Sequence, residues 1–470
     1  MRFPDMSRIK SIHMVGIGGS GMSPIAKVLR EMGYTVTGSD LKESANTIRL
    51  RDLGVDVQMG HDASRVRSAD VVVICSAVAK DNVEVVEAQS RGISVQRRAD
   101  MLAWIMSQST ERIAIAGTHG KTTTTSMIAM IFDQRGLEPT FLIGAERSDI
   151  LHNAKLGNGR FVIAEADESD GSFLKLKPTQ SVITNIEDDH LDFYGTYESV
   201  LETFRKYIRQ LPSGGRLIAC ADDPGVAKVL EALPSSVKLI TYGLHADAMF
   251  RSAQTRFDKM STTSLIIGPN DKELGELTMR VPGQQNVMNA LAAVAVSMEA
   301  GLDFVAIQSV LASFTGARRR FQVVGEVGDV MIVDDYAHHP TEIRATLAAA
   351  RNGWGKERRI VVVFQPHRFT RTFFLKEAFS QAFDDADEVY IADIYAAGEA
   401  PIAGLSGETI EKLINTNGHK RAHYIAKKEL IADRILDSLQ NGDIIVTLGA
   451  GDIYTVGKEV FNRLRDKKAI

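Results

Sequence analysis

At 470 residues the chain is too long for one hydrophobic core, and it is expected to form about three domains. Its hydrophobic fraction of 44% and charged fraction of 24% are typical of a soluble globular protein, while a net charge of −4 excludes a general attraction to nucleic acid or anionic membrane. Two cysteines, and no signal-peptide run near the N-terminus, exclude a disulfide framework and predict a cytoplasmic protein.

The first predicted strand leads into a glycine-rich loop. Residues 12–15 form a short predicted strand and precede Gly16-Ile17-Gly18-Gly19-Ser20-Gly21, which fits the pattern G-x-G-x-x-G and opens a predicted helix at 22–32. A second strand reaches Asp40, 19 residues after Gly21, near the position of a ribose-binding acid in dinucleotide folds. Strands that alternate with helices predict a parallel sheet.

This first loop has three possible interpretations. In the first two, a pyrophosphate lies at the helix N-terminus and belongs either to NAD or to a UDP-sugar. In the third, the glycines serve only close packing of the strand against the helix. Another strand, at 71–76, ends at Ser76. Residues 96–109 predict a helix, after which we place a domain boundary near residue 108.

A second glycine loop follows an apolar strand that begins at residue 113. Its sequence is Gly117-Thr118-His119-Gly120-Lys121-Thr122-Thr123, and an apolar helix comes next. Backbone N–H groups in such a loop turn onto anionic oxygens at the positive end of the helix. Lys121 is placed to reach outer phosphates and Thr122 to hold Mg²⁺. Ile115 stands where the longer form of this motif has glycine, so the loop is a shortened form.

Two further strands end in acidic residues. Glu165 follows the strand at 161–164, and an acidic segment containing His190 follows the strand at 181–185. Carboxyl ends of parallel strands share one edge of a sheet, so Glu165 and His190 are candidate Mg²⁺ ligands in a two-metal phosphate site. The remaining acids of the first cluster, each equally well explained by a solvated turn, are Asp167, Glu168 and Asp170.

The end of the middle section offers two polar groups. Residues 236–282 predict short strands, and the helix after them carries Asn286 and Asn289 on one face. These amides can bond an adenine edge, although helix capping is the better explanation of their spacing. The arginines at 318–320 are either a solvated run or a cationic clamp directed at phosphates.

The C-terminal section predicts four parallel strands, at 330–333, 359–364, 388–392 and 443–448, each ending in polar or glycine residues. Ligands bind at such strand edges, and the cations present suit a carboxylate or phosphate. The side chains expected to share this crevice are Asp335, His338, His367, Arg368 and Arg371.

Together these motifs resemble the ATP-dependent Mur ligases of peptidoglycan synthesis, in the family's order and over nearly the whole chain. The segment Asp334-Asp335-Tyr336-Ala337-His338-His339-Pro340 completes the match. The resemblance implies three α/β domains. They are a Rossmann-like UDP-sugar domain at 1–107, a central P-loop mononucleotide-binding ATPase domain at 108–318, and a Rossmann-like C-terminal domain at 319–470 that binds the amino acid and closes.

The resemblance also implies residue roles, with Lys121, His190, His338 and Arg371 as catalytic groups. The ATP side would use Gly117, Thr118, His119, Gly120, Lys121, Thr122, Thr123, Asn286, Asn289, Arg319 and Asp335, with Mg²⁺ on Thr122, Glu165 and His190. The UDP-sugar would meet Gly16, Gly18, Gly19, Ser20, Gly21, Asp40 and Ser76. The amino acid would meet Tyr336, His338, His367, Arg368 and Arg371.

The implied reaction joins L-alanine to UDP-N-acetylmuramate with ATP and two Mg²⁺ ions, in a monomer or weak homodimer. Later-acting family members carry a modified lysine where this chain has Arg205, 15 residues after His190, and the alanine-adding branch is not expected to need it. Three alternatives remain: a ligase that adds a murein tripeptide to the same sugar, an NAD-dependent oxidoreductase, and a non-catalytic nucleotide sensor.

Overall fold

A computed structural model describes residues 3–144, 153–418 and 421–468. These residues form two compact units. The first unit takes in residues from 1–186, 201–242 and 292–306, and the second takes in residues from 187–200, 243–291 and 307–470. Over the described ranges, no helix combines the length and apolar character needed to cross a membrane.

Five parallel strands form the first sheet, which lies in the first unit. Its order is β3-β2-β1-β4-β5, and each connecting helix returns the chain to the same end of the sheet. The elements are β1 (Ser11–Val15), α1 (Met22–Glu31), β2 (Thr35–Asp40), α2 (Ala45–Asp52), β3 (Asp56–Met59), β4 (Val71–Ile74), α3 (Val83–Ser90), β5 (Ser94–Arg97) and α4 (Arg98–Ser107).

The middle of the chain contributes ten strands and six helices. They are β6 (Glu111–Ala116), α5 (Lys121–Gln134), β7 (Thr140–Leu142), β8 (Ala154–Lys155), β9 (Phe161–Glu165), β10 (Gln180–Ile183), α6 (Leu191–Tyr194), α7 (Tyr197–Arg209), β11 (Arg216–Cys220), α8 (Pro224–Leu230), β12 (Lys238–Gly243), β13 (Phe250–Asp258), β14 (Ser261–Ile267), β15 (Glu273–Met279), α9 (Gln284–Glu299) and α10 (Phe304–Leu311).

The first unit has its second sheet in the order β12-β11-β10-β6-β9-β7-β8. Neighbours are parallel except β7 and β8. Strand β6 runs between β9 and β10, so the loop that leaves β6 emerges between the carboxyl ends of these two neighbours. In the second unit, β13, β14 and β15 form an antiparallel meander.

The second unit also contains a six-stranded sheet in the order β16-β17-β21-β18-β19-β20, parallel except for β16 against β17. Alternate residues of its strands enter two apolar cores, one on each face. The elements are β16 (Gln322–Val327), β17 (Val330–Asp335), α11 (Pro340–Trp354), β18 (Ile360–Phe364), α12 (Phe369–Ser380), β19 (Glu388–Ile391), α13 (Gly407–Thr416), β20 (Ala422–Tyr424), α14 (Ile431–Ser438), β21 (Ile444–Leu448) and α15 (Tyr454–Lys468).

The predicted α/β class with parallel sheets in three sections is confirmed, whereas the domain limits at 107 and 318 stay predictions. The helix predicted from residue 96 is wrong at its start, because Ser94–Arg97 pairs with β4 as a strand and α4 begins only at Arg98. After β11, Asp223 accepts a hydrogen bond from Val226 N and caps the start of α8.

Candidate active site

The second glycine loop is folded tightly against the end of β10. Gly117 has a φ of +125°, and a methyl group there would collide with Thr184 Oγ1. Asn185 holds the loop from outside, because its carbonyl accepts from Thr118 N at 2.9 Å and its Oδ1 accepts from His119 N at 2.8 Å. Gly120, with a φ of +82°, ends the loop where α5 begins. The result is a backbone cradle that only glycine permits.

Substituting Gly117 by alanine is expected to weaken ATP binding by at least about tenfold, because the added methyl group must displace Thr184. Gly136→Ala is the matched control. Gly136 also has a positive φ, of +73°, but no atom would lie within 4 Å of its added methyl group. Calorimetric ATP affinity should fall for Gly117→Ala alone, and an equal fall in both variants would contradict a specific cradle.

Lys121 is the cation of this loop, and it is anchored on three sides. Its Nζ donates to the carbonyls of Gly117 and Thr118 at 2.5 and 3.0 Å and lies 2.8 Å from Glu168 Oε2. Burial lowers the pKa of Lys121, but Glu168 and Asp167 outweigh this and raise it. The ammonium therefore stays charged at neutral pH, as electrostatic work on phosphate oxygens requires.

Two predicted metal ligands, Thr122 and Glu165, lie together. Thr122 Oγ1 donates to Glu165 Oε2 at 3.1 Å, and Gly144 N donates to Glu165 Oε1 at 2.7 Å. Burial raises the pKa of Glu165, so its carboxylate is poorly compensated by the protein alone. A hydroxyl beside a half-buried carboxylate is an oxygen donor set that fits Mg²⁺. His190 belongs to the second unit, and its place in this ligand set stays a prediction.

The other acids of this cluster have protein partners. Asp167 pairs with Arg98 at 3.1 Å, and Glu168 holds Lys121. Asp170 accepts from Ser172 N at 3.0 Å and shapes a local turn. Burial raises the pKa of Asp167, but Arg98 and Lys121 outweigh this and lower it. These pairings leave Glu165 as the best-placed Mg²⁺ ligand of this cluster.

The first glycine loop is ordered by Asp40. Gly18 N donates to Asp40 Oδ2 at 2.9 Å, so this acid supports the loop, and its contact with a ribose stays a prediction. Gly16 has a φ of +75°, and Gly21 precedes α1 directly. Gly19 N bonds back to Gly16 O at 3.1 Å, which closes the turn. Two further residues are predicted to contact the UDP-sugar. Ser20 lies in this loop, and Ser76 lies just after β4, where it is exposed.

Sequence reasoning missed a buried acid below this loop. Glu84, fully buried at the start of α3, accepts from Ser39 Oγ at 2.5 Å and from Asp62 N at 3.2 Å. His61 Nδ1 lies 3.2 Å from the same carboxylate. Burial raises the pKa of Glu84, but hydrogen bonds from His13 and Ser39 outweigh this and lower it to about 2. Its partners are distant in sequence, so no local pattern marks it.

In the second unit, the two predicted adenine-side amides bond locally. Asn286 Nδ2 donates to Pro282 O at 2.7 Å, and Asn289 Nδ2 lies 3.4 Å from Asn286 Oδ1. In both contacts an amide N–H is the donor, whereas a helix cap accepts from a backbone N–H, so these bonds fix the two side chains without capping α9. The adenine contact remains a prediction.

Arg319 is clamped inside the C-terminal fold. Its Nε donates to Asp334 at 2.9 Å and its Nη2 to Gly449 O at 2.7 Å, while Tyr336 lies under the guanidinium at 5.1 Å. Asp335 is buried and accepts from Phe321 N and Ala337 N, both at 2.8 Å. Burial raises the pKa of Asp335 to about 6. Both residues organise the ends of β17 and β21, and their nucleotide contacts stay predictions.

The predicted amino-acid pocket does bring its members together. The rings of Tyr336 and His338 lie 5.1 Å apart, those of His338 and His367 lie 6.1 Å apart, and Arg371 Nη1 lies 3.5 Å from His367 Nδ1. Burial lowers the pKa of His338 to about 3 and that of His367 to about 4, so both imidazoles are neutral. Asp335 is also predicted to share this crevice, but its carboxylate accepts from Phe321 N and Ala337 N.

The cations of this pocket already carry carboxylates. Arg371 grips Asp189 with two bonds, Nε to Oδ1 at 3.2 Å and Nη2 to Oδ2 at 3.3 Å. Arg368 binds Glu399 at 2.6 Å and Asp192 at 2.8 Å. Burial raises the pKa of Asp189, but Arg371 outweighs this and holds it well below its ordinary value. Both arginines are thus shaped for carboxylate recognition.

A strand–loop–helix phosphate cradle with a half-buried lysine and a half-buried strand-end acid defines a nucleotide-binding α/β protein with the donor set of a phosphoryl-transfer site. The chain belongs to the Mur ligase family. Family models match residues 11–110 (Mur ligase family, catalytic domain), 115–297 (Mur ligase middle domain) and 319–451 (Mur ligase, glutamate ligase domain).

Individual relatives agree with this assignment over their full length. The chain is 50% identical to a UDP-N-acetylmuramate–L-alanine ligase of Geotalea daltonii, covering 98% of this chain and 99% of the relative. It is 30% identical to the crystal structure of a UDP-N-acetylmuramate–alanine ligase from Thermotoga maritima, with a TM-score of 0.82 and coverage of 98% and 100%. A murein peptide ligase structure from Psychrobacter arcticus follows at 26% identity, a TM-score of 0.70 and coverage of 97% and 98%.

Proposed function

We propose that this protein is an ATP-dependent ligase that joins L-alanine to the lactyl carboxylate of UDP-N-acetylmuramate, in cytoplasmic peptidoglycan precursor synthesis. The observation that carries the proposal is the Lys121–Glu168 and Thr122–Glu165 arrangement at the second glycine loop, in a chain half identical to a ligase of that name. Two Mg²⁺ ions, one on Thr122 and Glu165, would neutralise phosphate charge.

The reaction follows from the groups at hand. The sugar carboxylate attacks the γ-phosphorus of ATP, ADP leaves, and an acyl phosphate forms. The alanine amine, after loss of a proton, attacks the acyl carbon; inorganic phosphate then leaves and an amide bond remains. Lys121 and the backbone N–H groups of 117–120 stabilise charge on the phosphoryl oxygens, so positioning and electrostatics carry the rate and no protein nucleophile is needed.

The second unit supplies the amino-acid side of the proposal. Arg371, His367 and Tyr336 form a compact polar cluster in which Nη1 of Arg371 faces the His367 ring. A guanidinium that already binds one carboxylate through two parallel bonds has the geometry to hold the carboxylate of alanine. The neutral imidazoles add polarity without a second positive charge. Both proposed substrates, UDP-N-acetylmuramate and L-alanine, are small molecules.

A ligase that adds a whole murein tripeptide is the second candidate, because a solved murein peptide ligase shares this fold at 26% identity. Phosphate release with ATP, Mg²⁺ and UDP-N-acetylmuramate should be measured against L-alanine, glycine, L-serine and the tripeptide. The proposal expects the highest kcat/KM with L-alanine. A preference for the tripeptide would replace the proposal with the second candidate, and no phosphate release with any acceptor would overturn both.

A further inference from the structure

Arg98 lies between the two glycine loops of the first unit. It is the first residue of α4, and its side chain runs along Gly21, the last glycine of the first loop. A methyl group placed on Gly21 would lie 3.1 Å from both Cδ and Nη1 of Arg98. On its other edge, Arg98 Nη2 donates to Asp167 Oδ2 at 3.1 Å. One guanidinium thus reaches both the first loop and the acid segment after β9.

That acid segment leads directly to the second loop. Glu168, the neighbour of Asp167, lies 2.8 Å from the Lys121 ammonium through its Oε2. Asp167 is further fixed by Ser169 N, which donates to its Oδ1 at 3.1 Å. Two adjacent acids, Asp167 and Glu168, thus hold the two cations Arg98 and Lys121, so only two neighbouring residues separate the arginine's partner from the lysine's.

A second ion pair joins the same two segments without touching either loop. Lys175 Nζ binds Asp100 Oδ1 at 2.7 Å, two residues along α4 from Arg98. Simple anchoring of α4 therefore does not require an arginine at 98. A guanidinium carries five N–H donors in a planar fork, so it can keep Asp167 on Nη2 and offer Nη1, which lies nearest Gly21, to an anion there. A lysine ammonium lacks this planar fork, so it does not fix Asp167 and an anion in one rigid geometry.

We propose that Arg98 is a positioning residue that contacts the diphosphate of the sugar nucleotide at Gly21 and, through Asp167, couples its binding to ATP binding at the second loop. This inference rests on the proposed function for the identity of the two ligands. The anion at Gly21 is the diphosphate and not the lactyl carboxylate, because Arg98 lies against the loop that opens α1. Both ligand sites belong to the same compact unit.

The test is calorimetric binding to the full-length protein, with and without a non-hydrolysable ATP analogue and Mg²⁺. The probes are UDP, UDP-N-acetylglucosamine and UDP-N-acetylmuramate. The wild type should bind each sugar nucleotide about fivefold more tightly with the analogue present. Arg98→Gln should weaken all three about tenfold and abolish this coupling. Asp167→Asn should abolish the coupling with a smaller loss of affinity, and Arg98→Lys should restore affinity but not coupling.

Lys175→Met is the control and should leave affinity and coupling at wild-type values. Equal loss in Lys175→Met and Arg98→Gln would overturn the inference in favour of simple anchoring, and unchanged coupling in Arg98→Gln would overturn it outright. Loss confined to UDP-N-acetylmuramate would assign Arg98 to the lactyl carboxylate and overturn the diphosphate contact. Because UDP and the analogue need no turnover, a protein without ligase activity can still show the coupling, so failure of the proposed function is distinguishable.

Discussion

Lys121→Ala is expected to lower kcat for ligation by at least about a thousandfold while UDP-N-acetylmuramate affinity stays near the wild-type value. The ammonium is the cation that the second loop itself supplies, and no other lysine is bonded to its carbonyls among the described residues. Charge builds on phosphoryl oxygens in the transition state, so the loss falls on kcat. Phosphate release gives the rate, and calorimetry gives the sugar-nucleotide affinity.

The variant has a structural side effect that the experiment must separate. Removing Nζ leaves the carboxylate of Glu168, which is only 2% exposed, without its ammonium partner. The double variant Lys121→Ala/Glu168→Gln removes that buried charge and should recover the melting temperature but not the activity. Lys155→Ala, which breaks a half-exposed pair with Asp133 in the same unit, should keep near-normal turnover. Near-normal turnover in Lys121→Ala itself would exclude the proposed site.

The strand-end chemistry was predictable because it follows from local sequence. An apolar run followed by polar residues identifies the carboxyl end of a buried parallel strand, and such ends meet at one edge of a sheet. Thr122 lies at the start of α5, which follows β6, and Glu165 ends the neighbouring strand β9; the two side chains are within hydrogen-bond distance. The same logic correctly grouped His338, His367 and Arg371 at the ends of β17 and β18.

Local sequence patterns do not predict which residues pair when they are far apart in the chain. From the sequence, Asp167 is equally well explained as a metal ligand or as part of a solvated turn. Its partner Arg98 lies 69 residues away in sequence. Asp189 reaches Arg371 across 182 residues. Which acid meets which cation depends on packing and not on periodicity, because several acids at one strand end are chemically equivalent until the fold selects among them.

The error at residues 96–97 has the same origin. Gln96 and Arg97 are polar and precede a strong helix, so local preference extends the predicted helix back to Gln96. In the fold they complete the edge of the first sheet, where Val73 pairs with Gln96 and Ile74 with Arg97. Tertiary pairing overrides local propensity in so short a strand. The correction matters for function, because it makes Arg98 the first residue of α4.

Arg371→Ala should raise the KM for L-alanine by roughly a hundredfold, with a smaller change in kcat, because a buried guanidinium bonded to charged groups is lost. The side chain is 8% exposed and holds Asp189, so the same variant should also lose about 3–5 kcal/mol of stability, as expected when one partner of a buried pair is removed. Amino-acid titrations at saturating ATP and UDP-N-acetylmuramate give the KM, and urea unfolding gives the stability.

A control variant at Arg351, at the other end of the same sheet, separates an effect on protein stability from an effect on alanine binding. Arg351 of α11 binds Asp387 at 2.7 Å, and that acid also accepts from Ile360 N at the start of β18, away from the strand ends that carry the pocket. Arg351→Ala should therefore lower stability without changing the KM for alanine. If both variants raise that KM equally, the effect of Arg371 is a general weakening of the C-terminal fold; if only Arg371→Ala does, its guanidinium belongs to the amino-acid pocket.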